Sequence, residues 1–450
     1  MIQSKKYFQD LEEFLNSSLQ SHQILHIFQN YKLIGDKFAS GLCSALAKCT
    51  NLSKLRLDLC VNQIDDSAPD LGYALAKCNN LSNLTLDLSY NQIHAIAAQG
   101  LGSALKNCTN LSYLMLNLRG NYIGASGASG LCSALANCTN IQNLALNLCG
   151  NQIGAVGASG LGSALATCTN LSNLKLDLND NEIGSEGISS LGTALLNCSN
   201  IQNLTLYLLG NKIGAINVSG LGFALSNCCN ILNLTLDLCG NFIDVIDLSG
   251  LGFALAKCTN LSNFTLDLSR NQIGEKCISD LGSALSNCSN LSNLTLNLSC
   301  NQIGDKAASD LGPALSKCTK LYNLTLNLSE NQIGDKGSQD LGSALAKCTK
   351  LSKLTLTLSF NEINESEEFK NIPQLLINQG NLQLRLFQKI FGQENFNPYF
   401  FKSQKQQQNK KNFIIYLDIF YRLYSTILMI FMQQNFQIED IDLIKQKIKI

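Results

Sequence analysis

The feature that most constrains this chain is a repeat. The stretch LSNLTLDLSYNQI at residues 81–93 recurs in close variants along most of the 450 residues. Its asparagine returns after one interval of 29 residues and then at every 30th residue. Self-similarity at a fixed period of this length predicts a solenoid, in which each repeat packs against its neighbours. The repeated asparagines are Asn62, Asn91, Asn121, Asn151, Asn181, Asn211, Asn241, Asn271, Asn301, Asn331 and Asn361.

Each copy contains two hydrophobic periods. Leu84, Leu86 and Leu88 alternate with polar residues, which predicts a strand with one buried face. Leu131 and Leu135 belong to a stripe with steps of three and four residues, which predicts a helix. Strands stack about 4.8 Å apart and helices about 10 Å apart, so the stack curves with the sheet inside. We therefore predict an α/β solenoid, a horseshoe with a parallel inner sheet and outer helices.

The residues also carry a family resemblance. The pattern L-x-x-L-x-L-x-L-x-x-N-x-I-G, followed by L-G-x-A-L-x-x-C, resembles the leucine-rich repeats of the ribonuclease-inhibitor subfamily over about residues 25–391. In this chain the strand segment has one extra x-L pair and the period is uniform. The resemblance implies that the Asn column has a structural role, in which its amides satisfy backbone groups where the chain leaves each strand.

The domain organisation follows from where the pattern starts and decays. Residues 1–24 are predicted to form a capping helix, because Phe8, Leu11, Leu15 and Leu19 follow helical spacing. Residues 25–391 are the solenoid, with about eleven regular 30-residue repeats and a last capping strand near 381–390. Residues 392–412 read as a polar linker.

The last segment, 413–450, is an apolar and amphipathic tail. Residues 413–432 are long enough to cross a membrane, but Asp418 and Arg422 near the middle offset the gain from the apolar residues. Three alternatives stay open for this segment: a membrane anchor, a helix on the repeats or on a partner, and a poorly ordered tail.

Composition argues against several function classes. Lys plus Arg and Asp plus Glu both number 33, so no nucleic acid partner is expected. Three histidines and the lack of a P-loop or kinase motif argue against an enzyme, a cofactor or a metal site. The first residues lack an apolar signal segment, so we expect a cytoplasmic protein. We also expect a monomer.

Eleven of the nineteen cysteines occupy one repeat position, from Cys49 to Cys348. Zinc ligands come in close pairs, which this spacing does not supply. A packing column of buried thiols is favoured over disulfides or a metal site.

The residues between the strand leucines are predicted to face solvent on the concave side, which is the expected binding surface. Stacked carboxylates such as Asp58 with Asp87 and Asp237 with Asp267 repel one another, and either a basic partner or solvent relieves the cost. Specificity is expected where the columns break their own rule, although drift between copies explains the same deviations. The predicted partner-binding residues are Met115, Arg119, Lys175, Asp177, Asp180, Tyr207 and Leu209.

The function predicted from these features is a non-catalytic protein-interaction scaffold that binds a protein partner on the concave face. One alternative is regulation by contact, since Ran GTPase activators have similar repeats. Others are the sensing half of a receptor, as in NOD-like receptors, and a tail-anchored repeat protein facing the cytosol. Fold alone does not decide among them.

Overall fold

The computed structural model describes residues 5–65, 68–244, 248–363 and 383–387. These residues form fourteen strands, β1 to β14. In chain order the strands are Lys5–Phe8, Ile24–Phe28, Lys54–Asp58, Asn83–Asp87, Tyr113–Asn117, Asn143–Asn147, Asn173–Asp177, Asn203–Tyr207, Asn233–Asp237, Asn263–Asp267, Asn293–Asn297, Asn323–Asn327, Lys353–Thr357 and Gln383–Phe387.

The same described residues form twelve α-helices, α1 to α12, and one short 3-10 helix at Leu19–Ser21. In chain order the α-helices are Leu11–Leu15, Gly35–Leu46, Ala68–Lys77, Ala95–Leu105, Gly124–Leu135, Gly154–Leu165, Gly184–Leu195, Ala215–Leu225, Ser249–Lys257, Glu275–Leu285, Asp305–Ser316 and Asp335–Leu345.

All fourteen strands lie in one parallel sheet whose order is the order of the chain. The register joins equivalent repeat positions, as in the pairs Leu84 with Leu114 and Thr85 with Met115. Residues that share a repeat position therefore form columns across the sheet. The predicted α/β solenoid is confirmed.

The extra x-L pair of each repeat lengthens the pairing between strands. Beyond the end of β4, Leu88 N–H still donates to Asn117 O at 2.8 Å, and Tyr90 N–H to Arg119 O at 2.7 Å. Leu88 is fully buried, so the added leucine also extends the core.

One face of the sheet is covered and the other is open. Leu84 and Leu86 are buried, whereas Thr85 and Asp87, which alternate with them, are half-buried. The helices supply the other side of the core through residues such as Leu131, which is buried. Because this open face lines the inside of the curve, it is the concave face.

The N-terminal segment differs from the predicted single capping helix. Strand β1 extends the sheet in parallel with β2, and the helix α1 that follows spans five residues. Asp10 caps this helix by accepting from Glu12 N–H at 2.8 Å. Phe8 has strand geometry, yet it is buried against the Phe14 ring, with centroids 5.4 Å apart. A strand and a short helix therefore cover the first repeat together.

At the other end, β14 pairs in parallel with β13. The predicted linker at 392–412 and the tail at 413–450 lie outside the described residues. Within the described part of the chain, none of the helices has the length and apolar character needed to span a membrane.

Candidate partner-binding face

The repeated asparagines bind the backbone of two successive repeats. Asn181 is fully buried, and its Oδ1 accepts from Asn151 N–H at 3.0 Å and from Ile153 N–H at 3.3 Å. Its Nδ2 donates to Leu148 O at 2.8 Å and to Leu178 O at 3.1 Å. The side chain thus satisfies buried groups that the turn would otherwise leave unpaired.

A second column, at the last residue of each strand, also serves the fold. Asp87 Oδ1 accepts from Ser89 N–H at 2.9 Å, and Asp267 Oδ1 accepts from Ser269 N–H at the same distance. The amides of Asn117 and Asn297 donate to the second oxygens of these two carboxylates, at 3.0 and 2.8 Å. The sequence pattern suggested only a basic partner or solvent for this column, and did not reveal its hydrogen bonds within the sheet.

Arg56 neutralises the first carboxylate of this column, that of Asp58. Its guanidinium contacts the buried Asp58 carboxylate at 2.9 Å and lies 5.4 Å from the Phe28 ring centroid. The Asp58 carboxylate, which the sequence placed against Asp87, therefore already has a cation beside it.

A third column forms an amide ladder at the first residue of successive strands. Asn173 Nδ2 donates to Asn143 Oδ1, Asn203 Nδ2 donates to Asn173 Oδ1, and the series continues to Asn323. The ladder begins at Asn143 because the preceding strand carries Tyr113 at this position. The ladder was not predicted from the sequence, although the asparagines recur at one repeat position.

Five of the predicted partner-binding residues come together on β7, β8 and the turns that follow them. Lys175 Nζ lies 5.4 Å from the Tyr207 ring centroid. Asp177 pairs with Tyr207 in the sheet register, and Asp180 N–H donates to Leu209 O at 2.9 Å. Lys175 and Asp180 are exposed, while the other three are half-buried.

Burial and the neighbouring groups shift the pKa of Asp177 in opposite directions. Burial raises the pKa of its carboxyl group, while the Asn179 N–H and the charges of Arg119 and Lys175 act in the opposite direction. At Tyr207 the column lacks the carboxylate or amide oxygen that elsewhere accepts from the N–H two residues further along. Leu209 N–H instead donates to Asn179 Oδ1 at 2.8 Å. The substitution of Tyr207 in this column is therefore compensated by the preceding repeat.

Met115 and Arg119 lie apart from that group, on and after β5. Strand β6 separates Met115 from Lys175, with Ala145 between them in register. Met115 is exposed, and the Arg119 guanidinium lies 5.7 Å from the centroid of the Tyr90 ring. The predicted set therefore forms two groups on either side of β6.

Aromatic residues that were not predicted from the sequence lie beside Arg119 at the rim where the strands end. Tyr90 and Tyr122 are 51% and 60% exposed. The Tyr122 ring stacks on His94, with centroids 5.4 Å apart, and Tyr90 lies across Gly120, where a Cβ would approach its ring to 2.7 Å. Tyr90, Arg119, Tyr122 and His94 are called the rim cluster below. The sequence does mark both tyrosines: Tyr90 stands at a repeat position where glycine is common, and Tyr122 at one where glutamine is common.

The strands from β9 to β13 are regular by comparison. Their central column consists of half-buried threonines, Thr235, Thr265, Thr295, Thr325 and Thr355. The break in the pattern of the strands is therefore concentrated on β5 to β8, while the rim departs from the repeat at Phe242 as well, which is 63% exposed.

The helical side has an exposed aromatic pair of its own. Phe223 on α8 and Phe253 on α9 stack with centroids 5.8 Å apart and are 62% and 46% exposed. Ser283 on α10 occupies the same repeat position, so the pair is a local departure from the repeat. The convex surface thus carries an exposed aromatic pair of its own.

The sequence matches a known family in three stretches. The model of the family described as Leucine Rich repeat matches residues 170–192, 290–312 and 323–342. The protein is built from leucine-rich repeats.

No curated protein matches the sequence of this leucine-rich repeat chain. Among solved structures, it is similar to one titled "Crystal structure of Rad7 and Elc1 complex in yeast". The identity is 18%, the match covers 85% of this chain and 76% of that chain, and the TM-score is 0.41. A likeness this distant supports no inference about function.

The cysteines of the leucine-rich repeats are free thiols. Cys168, shortly after the end of α6, is buried, and its Sγ donates to Ala164 O at 3.5 Å and to Leu135 O at 3.7 Å. Across the residues described, no group of three or more His, Cys, Asp or Glu side chains is arranged to hold a metal ion. The repeat cysteines therefore act as small buried groups that bridge neighbouring helices.

Proposed function

We propose that this leucine-rich repeat protein is a non-catalytic interaction scaffold, and that its protein partner docks on the concave face at β5 to β8 and on the rim cluster. The observation that carries the proposal is the concentration of exposed Met, Lys, Arg and Tyr side chains there, on a concave face whose other strands are largely regular. Tyr and Arg are enriched among residues that dominate binding energy.

The arrangement of these side chains supports the proposal. Arg119 packs on Tyr90 and Lys175 packs on Tyr207, so each cation is placed by an aromatic ring. Side chains that are already ordered lose less conformational entropy on binding. By contrast, the carboxylates of Asp87 and Asp267 accept hydrogen bonds within the sheet, which leaves them less available to a partner.

We further assign the repeats to the ribonuclease-inhibitor-like type. Each regular copy has a helix opposite its strand, a buried Asn after the strand and a Cys at the end of the helix, as in the pattern that the sequence shares with this subfamily. The free, buried thiols suit a reducing compartment such as the cytoplasm.

The experiment is affinity capture from cell lysate with the full chain and two variants. The patch variant carries Arg119→Ala, Lys175→Ala and Tyr207→Ala. The control carries three threonine substitutions on regular strands, Thr265→Ala, Thr295→Ala and Thr325→Ala. We expect a protein retained by the natural chain and by the control, but lost by the patch variant. Equal retention by all three would place the contact elsewhere and refute the concave site.

A further inference from the structure

The concave face has an open depression beside the predicted partner-binding residues of β7 and β8. It has a volume of about 180 Å³ and lies over β6 and β7, between β5 and β8. Ala145 lines it and replaces the longer side chains found in this column, such as Met115 and Lys175 on either side. The missing atoms of one residue therefore open a space on an otherwise filled sheet.

The wall of the depression is formed by the start of the amide ladder. Asn143, Asn173 and Asn203 line it, and their oxygens at Asn143 and Asn173 accept from the next amide of the ladder. Because Asn143 is the first amide, its own Nδ2 has no preceding amide oxygen to bind, and it donates no hydrogen bond to the described residues. An amide nitrogen carries two donor hydrogens. The wall thus presents unused N–H donors.

The charge of the lining points the same way. Lys175 is the basic residue that lines the depression, and none of the described residues lining it carries a carboxylate. Asp177 lies two residues along the same strand, where its Oδ1 accepts from Asn179 N–H at 3.3 Å. An ammonium and amide N–H groups together match a ligand that only accepts hydrogen bonds. The Ala145 methyl suits a short aliphatic stem.

We propose that the Ala145 depression receives an Asp or Glu side chain of the protein partner. This inference rests on the proposed function, because it assigns the chemistry of one contact within the proposed interface. The partner carboxylate accepts from Asn143 Nδ2, its stem packs on Ala145, and the positive charge of Lys175 on the neighbouring strand attracts it. A Lys or Arg at the same place would meet Lys175 and be rejected by charge.

The chain offers a direct test through its own repeats. Thr85 and Thr205 occupy the position equivalent to Ala145, so Ala145→Thr fills the depression with a residue that the repeat already accepts. Lys175→Gln removes the charge and keeps a similar length. Thr265→Ala makes the reverse change on a regular strand and is the matched control.

A displayed library of random linear peptides, selected on the immobilised full chain, supplies the probe. We expect the enriched peptides to share an acidic residue, and its change to Gln or Asn to weaken binding about tenfold or more. Ala145→Thr and Lys175→Gln should weaken the same peptides by a similar factor, while Thr265→Ala leaves them unchanged.

The outcomes separate the two proposals. Peptides that lack an acidic residue, or whose binding survives Ala145→Thr, overturn the carboxylate site, as does a selection that enriches no peptide over the Ala145→Thr chain. If such peptides still lose binding to the variant with Arg119, Lys175 and Tyr207 changed to Ala, the concave interface stands and only the depression is excluded. Peptides unaffected by both variants contradict both proposals.

Discussion

The Asn column gives a prediction in which the cost of a substitution follows from counting hydrogen bonds. Asn271 and Asn301 are neighbours in the column, and both are 8% exposed. Asn271 Oδ1 accepts from Asn241 N–H at 2.9 Å and from Ile243 N–H at 3.0 Å. Asn301 Oδ1 accepts from Ile273 N–H alone, at 3.0 Å, among the described residues.

The carbonyl groups widen the difference. Leu238 O receives the Asn271 amide and no second asparagine amide in the described chain. Leu268 O receives the amides of both Asn271 and Asn301, so it keeps one donor after either substitution. Leu298 O receives the amides of Asn301 and Asn331, so it keeps one donor after Asn301→Ala. Asn271→Ala therefore leaves three backbone groups unpaired, and Asn301→Ala leaves one.

Each buried group left without a partner costs about 1–3 kcal/mol. Asn301→Ala should thus lower the free energy of unfolding by about 1–3 kcal/mol. Asn271→Ala leaves two more groups unpaired, so it should lower the free energy of unfolding by about 2–6 kcal/mol more. A difference of 2 kcal/mol corresponds to about thirtyfold in an equilibrium constant.

Native-state hydrogen exchange is the suitable assay, because long repeat arrays do not unfold in one cooperative step. We expect protection at residues 241–243 in Asn271→Ala to fall at least about thirtyfold more than protection at residue 273 in Asn301→Ala. Equal losses in the two variants would show that the side-chain volume, and not the number of hydrogen bonds, sets the cost. That result would refute the hydrogen-bonding role of the Asn column.

Three further predictions test packing and titration. Gly222→Ala should destabilise by about 1–3 kcal/mol, because its Cβ would lie 2.3 Å from Leu251 N, whereas Gly192→Ala, whose nearest contact is 3.5 Å, should be neutral or stabilising in thermal unfolding; equal effects would contradict the close helix contact at Gly222. Native alkylation followed by mass spectrometry should label the exposed Cys229 well before Cys132, since burial raises the pKa of Cys132 to about 12; labelling at equal rates would contradict the burial. Burial and a nearby lysine lower the pKa of His22 in the folded protein below 6.5. The contribution of the neutral imidazole to stability is therefore complete above pH 6.5 and is lost as the pH falls through 6.5 towards the folded pKa. Hydrogen exchange at residues 5–28 should detect this loss of protection at low pH, and His22→Gln should remove the pH dependence.

The period of the sequence was sufficient to predict the fold. A constant interval places equivalent residues in register, so one alternating strand and one helix stripe predict the whole array. The N-terminal segment was harder, because Phe8 and Leu11 fit a helix stripe even though Phe8 belongs to a strand. Helical spacing over so few residues does not exclude a strand followed by a short helix.

The candidate site was predictable only where a column changes residue type. Lys175 and Tyr207 were both predicted as partner-binding residues, and the structure places Lys175 Nζ 5.4 Å from the Tyr207 ring centroid. The pattern did not reveal that Asp87 binds Ser89 within its own turn, because that depends on side-chain direction. The Ala145 depression was missed for a related reason, since a small residue draws attention only when its neighbours in the sheet are known.

The measurement that tests the central claim most directly is a hydrogen-exchange footprint of the full chain with its captured partner. We predict added protection at residues 113–119, 143–149, 173–180 and 203–210 and at the rim around Tyr90, with the regular strands from β9 to β13 unchanged. Protection confined to the helical side, around Phe223 and Phe253, would contradict the concave site.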